Sequence, residues 1–143
     1  MIELNDLQKD IAIILILRIN KDDYTITYDE IKNIIKEISN NEISDRELWD
    51  SLGEISTLCC EIGLPPISAI CIRKDYGIPG DGFFKNLVRI GSYNTFDEAY
   101  MDYNTIKLKA KNCNDWHQLV DYLHIDIKFD FIGTYMCQCS DRK

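Results

Sequence analysis

The sequence predicts a single α+β domain over residues 1–143, and three observations support this class. Several segments of the first half repeat apolar residues at helical spacing, two of them after a capping box. The central run Ile67–Ile72 is apolar and rich in β-branched residues, which favours a strand. Near the C-terminus, Ile125–Phe131 alternates apolar and charged residues, which is typical of a half-buried strand. We therefore expect a helical N-terminal half, a central hairpin, and C-terminal helices with a strand that returns to the hairpin.

Three helices are predicted before the central run. Asn5 can cap the first, whose segment Ile11–Leu17 is apolar on nearly every side. Such a segment must be covered by the core or by another subunit, so a homodimer through this helix is one expectation. The segment is too short to span a membrane. Thr27 and Ser44 begin capping boxes for the second and third helices.

The stretch Gly63–Phe84 contains all three prolines of the chain. Gly63 is suited to the left-handed conformation that ends a helix, and Pro65 and Pro66 prevent the helix from continuing. The loop after the central strand is shaped by residues that favour turns, namely Gly77, Pro79, Gly80 and Gly82. These glycines match neither phosphate-binding glycine pattern, so we expect a hairpin loop and then a helical turn over Phe83–Ile90.

The C-terminal part is predicted to contain two helices and a strand. Thr95 begins a third capping box, and Asn114 is expected to cap the helix that carries Trp116. The alternating run Ile125–Phe131 follows as the returning strand, and Tyr135–Cys139 adds a strand or a tail.

The run Leu52–Phe84, LGEISTLCCEIGLPPISAICIRKDYGIPGDGFF, resembles a small and largely uncharacterised module of bacterial, phage and mobile-element proteins. The loose pattern of that module is LGxIxxxCxxxxLPPLSALVVxKxxGxPGxGF, and a TYxEL sequence commonly precedes it, as Thr27–Ile31 does here. This chain departs from the pattern at Cys71 and Ile72, where valine is usual, and at Arg73, where asparagine is usual. The resemblance implies a winged-helix-like central hairpin and a mobile-element context, and it implies no reaction.

The net charge of −8 is concentrated in the N-terminal helices. Residues 1–50 hold six basic and twelve acidic side chains, a net charge of −6. Nucleic acid repels such a surface at long range because phosphate contacts dominate its affinity for proteins. A basic groove on a partner protein would attract it, and simple solubility also accounts for it.

Six cysteines raise the alternatives of disulfides, a metal site and a reduced core. Nothing in the sequence marks secretion, and Cys59, Cys60 and Cys71 lie within apolar patterns, which favours reduced, buried thiols in a cytoplasm. Four potential zinc ligands also occur, but their C-x-C spacing is poorer than the usual spacing, so we predict no metal and no cofactor; they are Cys113, His117, Cys137 and Cys139.

No catalytic signature is visible, since a Ser-His-Asp grouping and G-x-S-x-G are both absent. The alkyltransferases with a related helix-then-hairpin arrangement use a reactive Pro-Cys-His-Arg sequence. That tetrapeptide does not occur here, so their activity is not carried over. The sequence therefore predicts a protein that is not an enzyme.

Two surfaces are predicted to bind a partner. The first is the glycine-rich loop with its flanks, represented by Arg73, Lys74, Asp75, Tyr76, Asp81 and Lys85. The second is the acidic surface of the N-terminal helices, represented by Asp22, Asp23, Asp29 and Glu30.

The functional hypothesis is a non-enzymatic phage or mobile-element protein in the host cytoplasm. It would inhibit a host defence system of the CRISPR or restriction type through protein–protein contact, with its acidic surface mimicking nucleic acid. The alternative is a winged-helix nucleic-acid-binding module or transcriptional regulator. Neither hypothesis involves a membrane.

Overall fold

The structure, a computed structural model, describes residues 2–141 and the side chains of residues 2–137. The structure is mostly helical and contains one pair of short strands. In chain order the elements are α1 (Asp6–Ile19), β1 (Ile26–Thr27), α2 (Tyr28–Ser39), α3 (Asp45–Glu61), a 3₁₀ turn (Ile67–Ile70), β2 (Cys71–Ile72), α4 (Asp81–Arg89), α5 (Phe96–Met101), α6 (Tyr103–Asn112), α7 (Trp116–Leu123) and α8 (Asp126–Asp141).

Helix α1 lies at the centre of the larger core. Every side chain from Ile11 to Ile16 is buried, Ile19 is buried as well, and Leu17 is half-buried. Five elements pack on α1, namely α2, α3, the 3₁₀ turn, α7 and α8. The apolar surface predicted for this segment is thus covered within the chain. The expectation of a homodimer through it stays an untested prediction.

The capping predictions for the first three helices are confirmed. Thr27 Oγ1 accepts a hydrogen bond from Glu30 N at 3.2 Å, and Thr27 N donates to Glu30 Oε1 at 3.3 Å. Ser44 and Glu47 make the same reciprocal pair, and Asn5 caps α1 in the same way. These bonds satisfy N–H groups that have no partner inside the helix, so they fix where α2 and α3 begin.

Gly63 ends α3 as the sequence predicts. It adopts the left-handed conformation, with a φ of +83°. Gly63 N donates to Cys60 O at 3.2 Å and Leu64 N donates to Cys59 O at 2.7 Å, which is the bond pair of a Schellman motif. Glycine suits this position because a Cβ would be strained there.

The predicted central hairpin is wrong. Of the predicted strand, only Cys71–Ile72 is extended, and it pairs in parallel with Ile26–Thr27. The first four residues of the run, Ile67–Ile70, form a 3₁₀ turn instead. Among residues 2–141 no strand besides these two occurs, so the α+β class with a winged-helix-like hairpin is corrected to a mostly helical fold.

Hydrogen bonds of two residues within the 3₁₀ turn join it to the neighbouring helices. The hydroxyl groups of Ser68 and Ser56 are hydrogen-bonded in the core, which joins the turn to α3. The Ala69 carbonyl accepts a hydrogen bond from Tyr103 Oη at 2.8 Å, which joins it to α6. A short apolar run has no period that separates a strand from a buried turn, and these contacts decide for the turn.

The predicted C-terminal strand is also wrong, because Asp126–Asp141 forms α8. Ile125, Ile132 and Met136 are buried, while Ile127 and Phe131 are exposed. The run alternates, but the same sequence also repeats apolar residues at spacings of three and four, and the helix buries that second set.

A second, smaller core lies around Phe84. The predicted helical turn over Phe83–Ile90 is confirmed by α4, and Phe84 packs edge-on against Phe83, Phe96 and Tyr103. Thr95 accepts a bond from Glu98 N at 3.2 Å, which confirms the cap but only half of the predicted capping box. The cap predicted at Asn114 is wrong by one residue, since Asp115 precedes α7.

Because the C-terminal segment is a helix, Ile132 and Ile127 should contribute differently to the stability of the fold. We expect Ile132→Ala to lower the free energy of unfolding by about 2–4 kcal/mol, because it leaves a cavity in the core. Ile127, which is 88% exposed, should tolerate alanine within about 0.5 kcal/mol. Urea unfolding followed by circular dichroism measures both free energies of unfolding. A large loss of stability in Ile127→Ala and none in Ile132→Ala would contradict the helix and support the predicted strand.

Candidate functional site

An open groove of about 1170 Å³ lies between α3 and α4 and is here called the α3–α4 groove. Most of its lining comes from four places: the start of α2, one side of α3, the loop between β2 and α4, and α4 itself; Gln8 of α1 and Ser68 of the 3₁₀ turn complete it. The Schellman turn, the 3₁₀ turn and the β1–β2 pair bring these places together.

A hydrogen bond across the floor of the groove joins α2 to α4. Tyr28 Oη accepts from Gly80 N at 2.9 Å, next to the first residue of α4. Burial raises the pKa of Tyr28 to about 12. The phenol therefore stays neutral at physiological pH, and the bond holds the two helix starts in a fixed relation.

The loop between β2 and α4 is closed by its own backbone. Arg73 O accepts from Tyr76 N at 3.2 Å and from Gly77 N at 2.9 Å, and Arg73 N donates to Ile78 O at 2.9 Å. Gly77 has a φ of +70°, a conformation that favours glycine. The loop thus presents Arg73 from a position that its hydrogen bonds define.

The Arg73 side chain is held by an aromatic ring. Its guanidinium carbon lies 4.3 Å from the centroid of Tyr76, which is a cation–π geometry. Its Nε atom is buried and has no hydrogen-bond partner among the described residues. Arg73 also forms no ion pair within the described part of the chain.

Arg89, on the last turn of α4, is also fixed, by uncharged partners. Its Nη2 atom donates to Asn86 Oδ1 at 2.6 Å and to Thr57 Oγ1 at 3.3 Å. Asn86 Nδ2 in turn donates to Gly53 O at 3.2 Å, so this network bridges α4 and α3.

The charges of the groove are separated by the elements that carry them. The side formed by α2 and α3, here called the acidic wall, contributes Asp29, Asp45, Asp50 and Glu54. The side formed by the loop and α4, here called the basic wall, contributes four cations, Arg73, Lys74, Lys85 and Arg89, together with Asp81.

The two walls do not neutralise each other. Asp45 pairs with Lys32 at 2.7 Å and Asp50 approaches Arg46 at 3.9 Å, and both of these partners lie outside the groove lining. No residue of the basic wall forms an ion pair with any described residue. Four cations therefore remain available to a bound molecule.

Trp49 lies on α3, so it belongs to the acidic wall, and 58% of its surface is exposed. Asp45, Trp49 and Gly53 are spaced by four residues, so they share the face of α3 that borders the groove.

Five of the ten predicted partner-binding residues line the groove; they are Asp29, Arg73, Lys74, Asp81 and Lys85. Asp75 and Tyr76 lie on the same loop outside the lining, and Asp22 and Asp23 lie in the connection between α1 and β1. Glu30 is occupied by the Thr27 cap and by an ion pair with Arg18 at 2.9 Å.

The sequence reasoning missed Tyr28, Trp49, Glu54 and Asn86 as lining residues. The four-residue spacing of Asp45, Trp49 and Gly53 was a usable signal for Trp49. Nothing local in the sequence signals the approach of Tyr28 to Gly80, which are 52 residues apart.

The chemistry of the cysteines favours a structural role. Cys59 and Cys71 are buried, and burial raises the pKa of both thiols, that of Cys59 to about 12. Burial raises the pKa of the half-buried Cys60 as well. A nucleophilic cysteine needs the opposite shift, because the thiolate is the reactive form.

Among the described side chains no three of the types His, Cys, Asp and Glu are grouped so that they could hold a metal ion. Cys113 is half-buried and His117 and Cys137 are exposed, while the side chain of Cys139 lies outside the described residues. No helix within residues 2–141 is long and apolar enough to cross a membrane.

No protein-family model, curated protein or solved structure matches this chain.

The burial of the thiols can be measured by alkylation. In the folded protein at pH 8 we expect iodoacetamide to modify the exposed Cys137 at least about 100-fold faster than Cys59 or Cys71, because buried thiols are protonated and inaccessible. Peptide mapping by mass spectrometry gives the rate at each site, and labelling in urea is the control. Rapid modification of Cys59 in the folded protein would show a reactive thiol and contradict this assignment.

Proposed function

We propose that this protein is a non-catalytic binding protein that takes an exposed segment of a partner protein into the α3–α4 groove. The observation that carries the proposal is a groove with oppositely charged walls and an exposed tryptophan in its lining, in which no cation of the basic wall forms an ion pair with a described residue. Protein interfaces are anchored by tryptophan and arginine side chains, and complementary charge fixes orientation and excludes wrong partners.

A protein segment suits this groove better than a nucleic acid does. A short polypeptide segment can carry side chains of both charges, whereas a nucleic acid carries a negatively charged phosphate at every nucleotide. The acidic wall and the net charge of −8 oppose such a polyanion. The nucleic-acid alternative also loses its structural basis, because the hairpin on which it rested is absent from residues 2–141.

The class of partner is proposed from the resemblance of Leu52–Phe84 to a module of phage and mobile-element proteins. In that context the partners to examine first are host defence complexes of the CRISPR or restriction type. Asp22 and Asp23 then extend the acidic surface from Asp29, at the groove, to outside it, where they would face a region of the partner that binds nucleic acid. The proposal concerns binding alone and includes no covalent step.

Site-directed crosslinking tests the location of the contact. With the photocrosslinker p-benzoylphenylalanine at position 49, we expect specific covalent adducts with a host protein in a lysate of the host cell. The matched control is the same group at position 122, an exposed aromatic position on α7 outside the groove lining. Equal yields at the two positions, or adducts that nuclease removes, would contradict the proposal.

The tryptophan itself supplies a second measurement. Trp49→Ala should leave the free energy of unfolding within about 0.5 kcal/mol, because the side chain is largely exposed. It should weaken capture of the crosslinked partner at least about 10-fold, since interface tryptophans are frequent hot spots. Tyr122→Ala is the control, and unchanged capture by Trp49→Ala would place the contact elsewhere.

A further inference from the structure

From the basic wall we infer that the α3–α4 groove recognises carboxylate groups, and that its occupant is an acidic segment of a protein. This inference rests on the proposed function and adds the chemistry of the partner. The contacts that carry it are those of Arg73, Lys74, Lys85 and Arg89.

The first argument is that unpaired cations are grouped in one groove. Of the ten described cations outside the basic wall, five form ion pairs within the chain, namely Arg18, Lys32, Lys36, Arg46 and Lys128, and five do not, namely Lys9, Lys21, Lys107, Lys109 and Lys111. The chain contains 24 acidic residues against 16 basic ones, so carboxylates are plentiful. All four cations of the basic wall nevertheless lack one among the described residues, although Asp81 lies on the same wall.

The second argument is the state of Arg73. Stacking on Tyr76 orients the planar guanidinium and leaves its N–H groups without an acceptor among the described residues. Buried donors in folded proteins are nearly always paired, so the solitary Nε–H marks a missing acceptor. A carboxylate that binds the guanidinium edge in a bidentate manner, after a small rotation of the side chain, supplies two acceptors at once.

The third argument is that the site is organised before a ligand arrives. Backbone bonds close the loop that carries Arg73, and Asn86 and Thr57 hold the guanidinium of Arg89. Gly80 provides no side-chain cap to α4, so the positive end of this helix also faces the basic wall, partly offset by Asp81. Preorganised donors lose little freedom on binding, which favours a specific ligand.

The charges also indicate how the occupant lies. Its acidic residues face the loop and α4, an apolar or aromatic residue contacts Trp49, and its other side, neutral or basic, faces Asp29 and Glu54 on the acidic wall. A protein segment satisfies all three conditions. A nucleic acid does not, because its phosphates would also approach the acidic wall.

Four probes of equal length distinguish the chemistries. They are a twelve-residue peptide of alternating Glu and Gly with a central Leu, the same peptide with Gln for Glu, the same peptide with Lys for Glu, and oligothymidylate of twelve nucleotides. The readout is the indole N–H resonance of Trp49 in ¹H–¹⁵N spectra, and the buried Trp116 is the internal reference. We expect the Glu peptide to shift Trp49 and the Gln peptide to bind at least 10-fold more weakly. Tighter binding of oligothymidylate or of the Lys peptide overturns the inference.

Charge-neutralising variants locate the site. Arg73→Gln and Lys85→Gln should each weaken binding of the Glu peptide at least 5-fold, and Arg73→Lys should restore only part of the loss, because lysine keeps the charge without the planar fork. Lys109→Gln, an exposed and unpaired position outside the groove lining, is the matched control for net charge. Should Arg73→Gln fail to fold, the exposed Lys85 still provides the test. A loss of the same size in Lys109→Gln would mean a general charge effect and overturn the inference.

The crosslink at position 49 separates this inference from the proposed function. If the partner crosslinks equally well in the Arg73→Gln/Lys85→Gln double variant, the groove binds a protein without reading its carboxylates, and this inference alone fails. If no protein crosslinks at position 49 in the native protein, the proposed function fails with it.

Discussion

The fold depends on the burial of α1. A helix that is apolar on nearly every side cannot lie at a surface, so five other elements must surround it. That constraint draws the 3₁₀ turn and α3 together and places β2 beside β1. The loop that leaves β2 then has to run over α3 and meet the start of α2.

The groove keeps its shape through few polar contacts. Tyr28 and Gly80 fix one end, and the network of Asn86, Arg89 and Thr57 fixes the other. Both contacts join α4 to a helix, α2 or α3, whose start is set by a capping box. Between these two contacts the walls carry side chains of opposite charge.

Much of the fold could be predicted from the sequence, and the failures have a common cause. Caps and the glycine at the end of α3 obey local rules, so Thr27, Ser44 and Gly63 were placed correctly. The two strand predictions were wrong because each run, Ile67–Ile70 and the segment after Ile125, is compatible with both a strand and a helical turn. Contacts with residues distant in the sequence favour the helical form. For the site, the loop cations were identified from their sequence context. Trp49 and Tyr28 were not, because their roles depend on which helix faces which.

The distribution of charge separates stability from recognition. An exposed ion pair contributes about 0–1 kcal/mol, so leaving the basic wall unpaired costs the folded state little, and pairing it would stabilise the fold little. Stability therefore does not explain why residues 51–90 contain four basic side chains and why all four line one groove. The proposed function accounts for this placement, because a bound acidic segment would use these cations. The net charge of −8 adds to this argument. In such a chain a cluster of cations without ion pairs differs from the rest of the surface, so a negatively charged partner residue would be attracted to it in preference to other sites.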